Sequence, residues 1–440
     1  MSTRLSFADT LSLGFMTFAF FLGAGNIIFP PFAGLAAGEN WLLAMVGFLV
    51  TAVGLPLLAL IAIARVGGGL GTMTALLPRW IGVSLALAIF IILGPAFATP
   101  RTGLVAYEIG VVPFLGETSK GSQWLFTVVY FALALWLALS PGKLMNIIGK
   151  VLTPILMLLL LGLAGSLLLM PEIERTAATG AWAASPFANG FLEGYMTMDT
   201  LGALMFGSLL VDIVRRKGIS DRNAQARYLA LAAVIAAIGL TVVYVSLFYL
   251  GVMSADLASN AANGGAILTA YVIQMFGEFG LVILALVVAL ACLTTAVGLI
   301  SASAEYFNEL WPRISYRQWV ALIAVLCALV ANVGLSQLIA VSIPVLFLIY
   351  PIAMALVFYA LVQARIQAPS LILWLLVAMT ALLGLLSALK VLAIEWAAGL
   401  VAAFGFLPLY EQHLAWLPLT ALILLFGLCY RPNKAVSNIK

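Results

Sequence analysis

The sequence predicts an all-α polytopic membrane protein with 12 transmembrane helices, in which helices 1 and 6 are broken at mid-membrane and head two inverted repeats. Three observations carry that reading. The 440 residues are 65% hydrophobic and 8% charged, with mean hydropathy +1.19, whereas soluble domains are about one quarter charged. Apolar stretches near or above the roughly 20 residues that cross a bilayer recur along the whole chain. Two of them are interrupted: Gly23-Ala24-Gly25-Asn26-Ile27-Ile28-Phe29-Pro30-Pro31, and the polar, glycine-bearing run from Gly190 to Gly202.

The stretches fall at roughly 9–36, 41–64, 81–111, 124–140, 147–169, 188–214, 227–251, 279–305, 318–335, 338–362, 369–390 and 414–430. Basic residues test the count, because short cytoplasmic loops hold most Lys and Arg. With both termini inside, the inner segments hold Arg4, Arg65, Arg79, Lys143, Lys150, Arg215, Arg216, Lys217, Arg222, Arg227, Arg313, Arg317, Arg365, Arg431, Lys434 and Lys440, which is 16 of the 20 bases. Outer segments hold Lys120, Arg175 and Lys390, with the acids Glu39, Glu117, Glu172, Glu174, Asp256, Glu278 and Glu411; Arg101 lies within the third span. The net charge of +4 therefore reports orientation and argues against a nucleic-acid partner, since the bases form no single patch. The first stretch is a retained helix rather than a signal peptide: its n-region is weak and eleven spans follow it.

Hydrocarbon offers no water to unpaired backbone groups, so a break at mid-membrane survives only where it is buried in protein or lines a cavity. A half-helix N-terminus suits a carboxylate, and unwound carbonyls suit Na⁺ or an ammonium group. Gly25 and Gly202 stand 177 residues apart and the second break comes five spans after the first, so the second unit enters from the opposite side. Paired breaks of this kind point to the binding site of an inverted-repeat transporter. Asp199, in the second break, costs about 2.5–3.5 kcal/mol at a helix centre and so needs a cavity or a cation. Its candidate partners are Na⁺, a substrate ammonium and Arg101.

In the eighth span, the hydroxyls of Thr294 and Thr295 with the carbonyl of Ala291 can offer three oxygens to a small cation, although such hydroxyls also simply bond a preceding carbonyl. Glu305 is a candidate proton relay or inner gate, or a solvated surface acid. Arg101, in Gly94-Pro95-Ala96-Phe97-Ala98-Thr99-Pro100-Arg101-Thr102, either closes a gate with Glu108 or Asp199 or snorkels to the outer interface. The pairs Gly34/Gly38 and Gly190/Gly194 suit close helix packing. Cys292, Cys327 and Cys429 lack metal-ligand spacing, and His413 is the only histidine. No P-loop, G-x-G-x-x-G, G-x-S-x-G or H-E-x-x-H pattern occurs, so the inventory fits transport rather than an enzyme, with no cofactor.

Several blocks taken in order resemble the branched-chain amino acid carrier II proteins, the BrnQ-type family of bacterial cation symporters, over nearly the whole chain. They are Leu13-Gly14-Phe15-Met16-Thr17-Phe18-Ala19, Gly23 to Pro31, Gly94-Pro95 with Phe97 to Thr102, Tyr130-Phe131, Pro141-Gly142-Lys143-Leu144, Gly194-Tyr195 with Thr197 to Ala203, Asn263-Gly264 with Ala266-Ile267-Leu268, and Gly334-Leu335-Ser336-Gln337-Leu338-Ile339. The family is similar in organisation to the LeuT-like 5+5 inverted repeat. The resemblance implies one membrane domain over 1–440, with repeats at 9–169 and 188–362 and peripheral helices 11 and 12 at 369–430.

It also implies roles. Backbone at Ala24 and Gly25 would meet the substrate carboxylate, and Asn26 would ligate an Na⁺ touching it. Carbonyls of Ala19 and Leu22, with Ala291, Thr294 and Thr295, would form a second Na⁺ site. Thr197, Asp199, Thr200 and Gly202 would face the substrate from the unwound sixth helix; Asp199 departs from the neutral residues of LeuT there. Phe18, Phe97 and Leu201 are candidate pocket walls. The expected activity is import of leucine, isoleucine and valine with Na⁺ across a bacterial inner membrane, with the lipid bilayer and the substrate as the partners and no obligate protein partner. The alternatives are a proton-coupled permease, or a transporter-like amino acid sensor or channel.

Overall fold

The computed structural model describes residues 5–115, 119–139, 153–167 and 176–430, with side chains of the third segment from residue 157. The bases Arg4, Lys143, Lys150, Arg175, Arg431, Lys434 and Lys440, the acids Glu117, Glu172 and Glu174, and the block Pro141–Leu144 lie outside the described residues. So do 147–152 and 168–169 of the fifth apolar stretch.

The described residues are helical, with no strand among them. The helices that matter here are α1 (Phe7–Phe21), α2 (Ala24–Ala37), α3 (Trp41–Leu49), α4 (Leu55–Val66), α5 (Arg79–Ile91), α6 (Ala98–Gly110), α7 (Lys120–Ala138), α8 (Thr153–Ser166), α9 (Pro186–Tyr195), α10 (Asp199–Arg216), α11 (Arg222–Met253), α12 (Gly264–Leu310), α13 (Tyr316–Val330), α14 (Leu335–Val362), α15 (Pro369–Val391) and α16 (Trp416–Cys429). Among the described residues, eight helices are long and apolar enough to cross a membrane, or nine if α9 and α10, bent by 41° at their junction, count as one broken span. Shorter apolar helices Phe7–Phe21, Met157–Ser166 and Trp416–Cys429 occupy the first, fifth and twelfth stretches.

Both expected breaks are present, but their chemistry differs from the expectation. The first falls at Leu22-Gly23, where the backbone is extended at Gly23 (φ −116°, ψ −168°), and α2 then runs without interruption through Pro30 and Pro31. Proline removes a backbone donor rather than a helical φ, so here it frees the carbonyls one turn earlier without ending the helix. The second break centres on Met196–Met198, with Met198 in the left-handed region (φ 63°). Gly194 and Gly202 are helical instead. A third irregularity, Gly277 (φ 63°), divides α12 into an arm and the eighth span.

Small residues set how closely the helices approach. A Cβ on Gly34 would stand 1.9 Å from the Phe248 carbonyl oxygen, and one on Gly190 1.9 Å from that of Ala44. Gly194 likewise faces Thr51. Gly38 differs from its expected role, since it ends α2 at φ 48° against the Thr176 carbonyl. The result is a bundle in which α1 and α2 both pack on α11, α9 packs on α3, α10 packs on α4, and α6 packs on α12. Helix α14 packs on α4 and stacks Tyr350 on Tyr195 beside the second break, and on its other side it pairs with α15, which carries α16.

Candidate functional site

The two breaks meet in the middle of the bundle. A break frees backbone groups, and the first is partly repaired locally: the Gly23 N–H donates to Asn26 Oδ1 at 3.0 Å, which fixes the Asn26 amide at the start of α2. Its Nδ2 then points across to the second break and donates to Asp199 Oδ2 at 2.7 Å, and also to the Tyr244 hydroxyl. Tyr244, from α11, donates its own proton to the same Asp199 oxygen at 2.8 Å. Asn26, Asp199 and Tyr244 are all buried, at 2%, 4% and 0% exposed.

Asp199 is the first residue of α10. The positive end of the helix dipole and two hydrogen bonds therefore offset the cost of placing a carboxylate here. Both bonds fall on Oδ2, which leaves Oδ1 open to a further donor. Among the described residues Asp199 forms no ion pair.

Arg101 reaches the same centre from α6. The residue is 4% exposed, its Nη1 donates to the Met196 carbonyl at 2.7 Å, and its Cζ lies 5.0 Å from the centroid of the Phe29 ring. A Cβ on Gly25 would stand 2.6 Å from Arg101 Nη2. Glycine at 25 thus leaves the room in which the guanidinium approaches the first turn of α2. Arg101 does not snorkel, and it is not paired with Glu108, which instead accepts from Asn263 Nδ2 at 2.6 Å.

A cavity of about 40 Å³ lies between these groups. Ala24, Gly25, Asn26, Thr197, Asp199, Gly202, Arg101 and Thr295 line it; at Gly202, no described residue lies within 4 Å of where a Cβ would be. Thr200 is buried but lies outside the lining. Phe97 is displaced from its expected wall position. The wide turn at Ile92–Ala96, with Gly94 non-helical, rotates the start of α6 so that Ala98, Arg101 and Thr102 share the cavity face. Phe18 and Leu201 are likewise buried away from the cavity, whose apolar walls are Phe20, Phe21, Leu93, Phe206 and Leu299.

Of the expected ion ligands, Thr295 faces the first break: its Oγ1 would lie 3.5 Å from a Cβ on Gly23. Thr294 and Thr295 both donate to the Ala291 carbonyl, at 2.8 and 3.1 Å. Each hydroxyl and the Asn26 carbonyl oxygen keeps a lone pair for a cation. Ala19, Leu22, Ala291 and Thr294 do not line the cavity. Among the described residues no cluster of His, Cys, Asp and Glu suits a metal ion, so any cation here would meet mostly neutral oxygens. Glu305 is exposed, and Glu309, one turn further on, lines a larger cavity.

Two more cavities flank the centre. One of about 120 Å³, lined by Phe29, Phe32, Glu193, Asn263 and Ser336, lies toward the end opposite the basic loops. Phe29 lines this cavity and Arg101 the central one, so the stacked pair forms the partition. The other, about 590 Å³, opens near Arg79 and Glu309 at the basic end, where Phe90 and Tyr306 stack 4.0 Å apart. His413 lies in the last loop, 5.0 Å from the Phe347 ring; burial, with Lys390 adding, pushes its pKa down to about 4, which keeps it neutral at physiological pH.

Sequence reasoning missed Tyr244 and the Met196 carbonyl. A tyrosine in the apolar run Val242-Val243-Tyr244-Val245 carries no signal beyond a lone hydroxyl, and a carbonyl carries none.

The family described as branched-chain amino acid transport protein matches residues 6–434. The branched-chain amino acid transport system 2 carrier protein of Pseudomonas aeruginosa is 46% identical over 442 residues, covering 99% of this chain and 100% of the relative. The branched-chain amino acid permease BrnQ of Escherichia coli K12 is 41% identical over 441 residues, covering 98% and 97%. Among solved structures, MhsT in complex with L-phenylalanine superposes with a TM-score of 0.58 at 16% identity, over 89% of this chain and 99% of that one. The fold is thus shared with LeuT-fold transporters.

Proposed function

Because the chain belongs to the branched-chain amino acid transport protein family, we propose that it is a secondary symporter that imports leucine, isoleucine and valine with Na⁺ by alternating access. The observation that carries this reading is the meeting of two half-helix breaks through the Asn26–Asp199 hydrogen bond. An amino acid zwitterion fits such a centre: α2 offers a helix N-terminus to its carboxylate, and Asp199 Oδ1 and the carbonyls of the second break suit its ammonium. The apolar walls suit an aliphatic side chain.

The packing supports an inverted repeat of helices 1–5 and 6–10 within twelve spans. Both halves of the first broken helix rest on α11, and the halves of the second rest on α3 and α4. Exchanging helices 1 and 2 with 6 and 7 turns one set of contacts into the other. The basic end faces the cytoplasm, with both termini inside, by the distribution of Lys and Arg. Cavities on either side of a closed centre support alternating access.

Thr295 Oγ1 and Asn26 Oδ1, which both face Gly23, are the favoured Na⁺ ligands. Carrying one Na⁺ with a zwitterion moves one net charge, which supplies about 2.3 kcal/mol per 100 mV before any concentration ratio. Proton coupling is the second reading, favoured by the burial of Asp199 without an ion pair among the described residues.

Uptake of labelled leucine into proteoliposomes decides between them, with an inward Na⁺ or proton gradient imposed at matched membrane potential. The expected result is accumulation driven by Na⁺, competed by isoleucine and valine, and abolished by Thr295→Ala. Accumulation driven by protons alone would move the coupling to Asp199 or Glu305. Binding without accumulation under either gradient would favour a sensor.

A further inference from the structure

Arg101 is a buried cation that forms no ion pair among the described residues. Of the five N–H donors a guanidinium carries, Nη1 reaches the Met196 carbonyl, while Nε–H has no partner among the described residues. Asp199, the carboxylate nearest in role, already receives Asn26 and Tyr244 on one oxygen and forms no ion pair with Arg101 among the described residues. Leaving a guanidinium buried on one carbonyl is costly, and proteins keep such groups where a partner arrives to satisfy them.

The geometry points to what arrives. The Phe29 ring faces the guanidinium at 5.0 Å, and the absence of a side chain at Gly25 lets Nη2 lie against the first turn of α2. Two positive features, a guanidinium fork and a half-helix N-terminus, therefore converge on one wall of the central cavity. The negative feature, Asp199 Oδ1, belongs to the start of α10. We propose that Arg101 is the carboxylate anchor of the substrate site, accepting the α-carboxylate on its fork as it releases Met196, while Asp199 takes the α-ammonium.

This deepens the transport reading and rests on it. It also assigns the partition between the cavities a second role. The side chain that closes the centre toward Phe29 is the one that reads the carboxylate, so a neutral amide or an amine without a carboxylate would leave the guanidinium unsatisfied. Arginine suits the task because its planar fork matches two carboxylate oxygens, which an ammonium cannot do.

The test is equilibrium binding of labelled leucine to the purified protein, competed by unlabelled leucine or by leucinamide, in wild type, Arg101→Gln and Arg101→Lys. Wild type should prefer leucine over leucinamide by at least roughly 30-fold, as expected for a desolvated charge pair. Arg101→Gln should bring the two within about threefold by weakening leucine alone, and Arg101→Lys should fall between, since it keeps the charge and loses the fork. Equal weakening of both ligands in Arg101→Gln, or an undiminished preference, would overturn the proposal and leave Arg101 a packing or gating residue. Should Arg101→Gln fail to fold, an undiminished preference in Arg101→Lys overturns it equally. Wild type binding neither ligand would instead refute the branched-chain substrate itself, and the anchor with it.

Discussion

At the scale of single residues, the site works by placing polar groups where hydrocarbon forbids them unpaired. Asn26 bonds its own break at Gly23 and the opposite break at Asp199, so one amide couples the two halves of the molecule. Gly202 leaves room beside Asp199. We predict that Gly202→Ala folds with an unchanged melting temperature and binds leucine and isoleucine more weakly than valine, by about tenfold, the scale of one or two methylenes in a pocket. Equal affinities for all three would place the side-chain pocket elsewhere. Asp199, Asn26, Arg101 and Thr295 were legible because polar residues inside apolar runs are costly. Tyr244 was not, since a tyrosine among valines costs little, and Met198 was not, since nothing but its surroundings holds a methionine at φ 63°.

At the scale of elements, closeness of approach decides the fold. Helix α9 lies against α3 because Gly190 has no side chain: an added methyl would overlap the Ala44 carbonyl oxygen at 1.9 Å. Such overpacking costs about 1–3 kcal/mol, so Gly190→Ala should lower the melting temperature of the purified protein clearly. Gly298→Ala, in α12 with no described residue within 4 Å of the new methyl, should leave it unchanged; equal effects would show that backbone freedom, rather than contact, governs these glycines. The positions of the apolar stretches were readable because hydrophobicity and length report a span directly. Where each break falls was read less well. Proline and glycine mark weak points, but the bend forms where neighbouring groups satisfy the freed backbone, at Leu22-Gly23 and at Met196–Met198.

At the scale of the whole molecule, sequence and comparison converge on one architecture. The chain shares its fold with MhsT at only 16% identity, while relatives 41–46% identical span nearly its whole length. Membership of the branched-chain family follows from the blocks around the breaks. The relation between the halves does not, because helices obeying one hydropathy rule need share no sequence. Burial explains the rest: packing on α11 against α1 and α2, and on α3 and α4 against α9 and α10, brings residues 173 positions apart into one hydrogen bond. Exchange transport reads out whether substrate passes where that bond joins the two breaks. Proteoliposomes loaded with unlabelled leucine should take up external labelled leucine through the wild-type protein. With Asp199→Asn, exchange should fall to the level of empty liposomes while the melting temperature stays within a few degrees. Full exchange by a folded Asp199→Asn protein would contradict the account, because the meeting point of the two breaks would then not be where substrate passes.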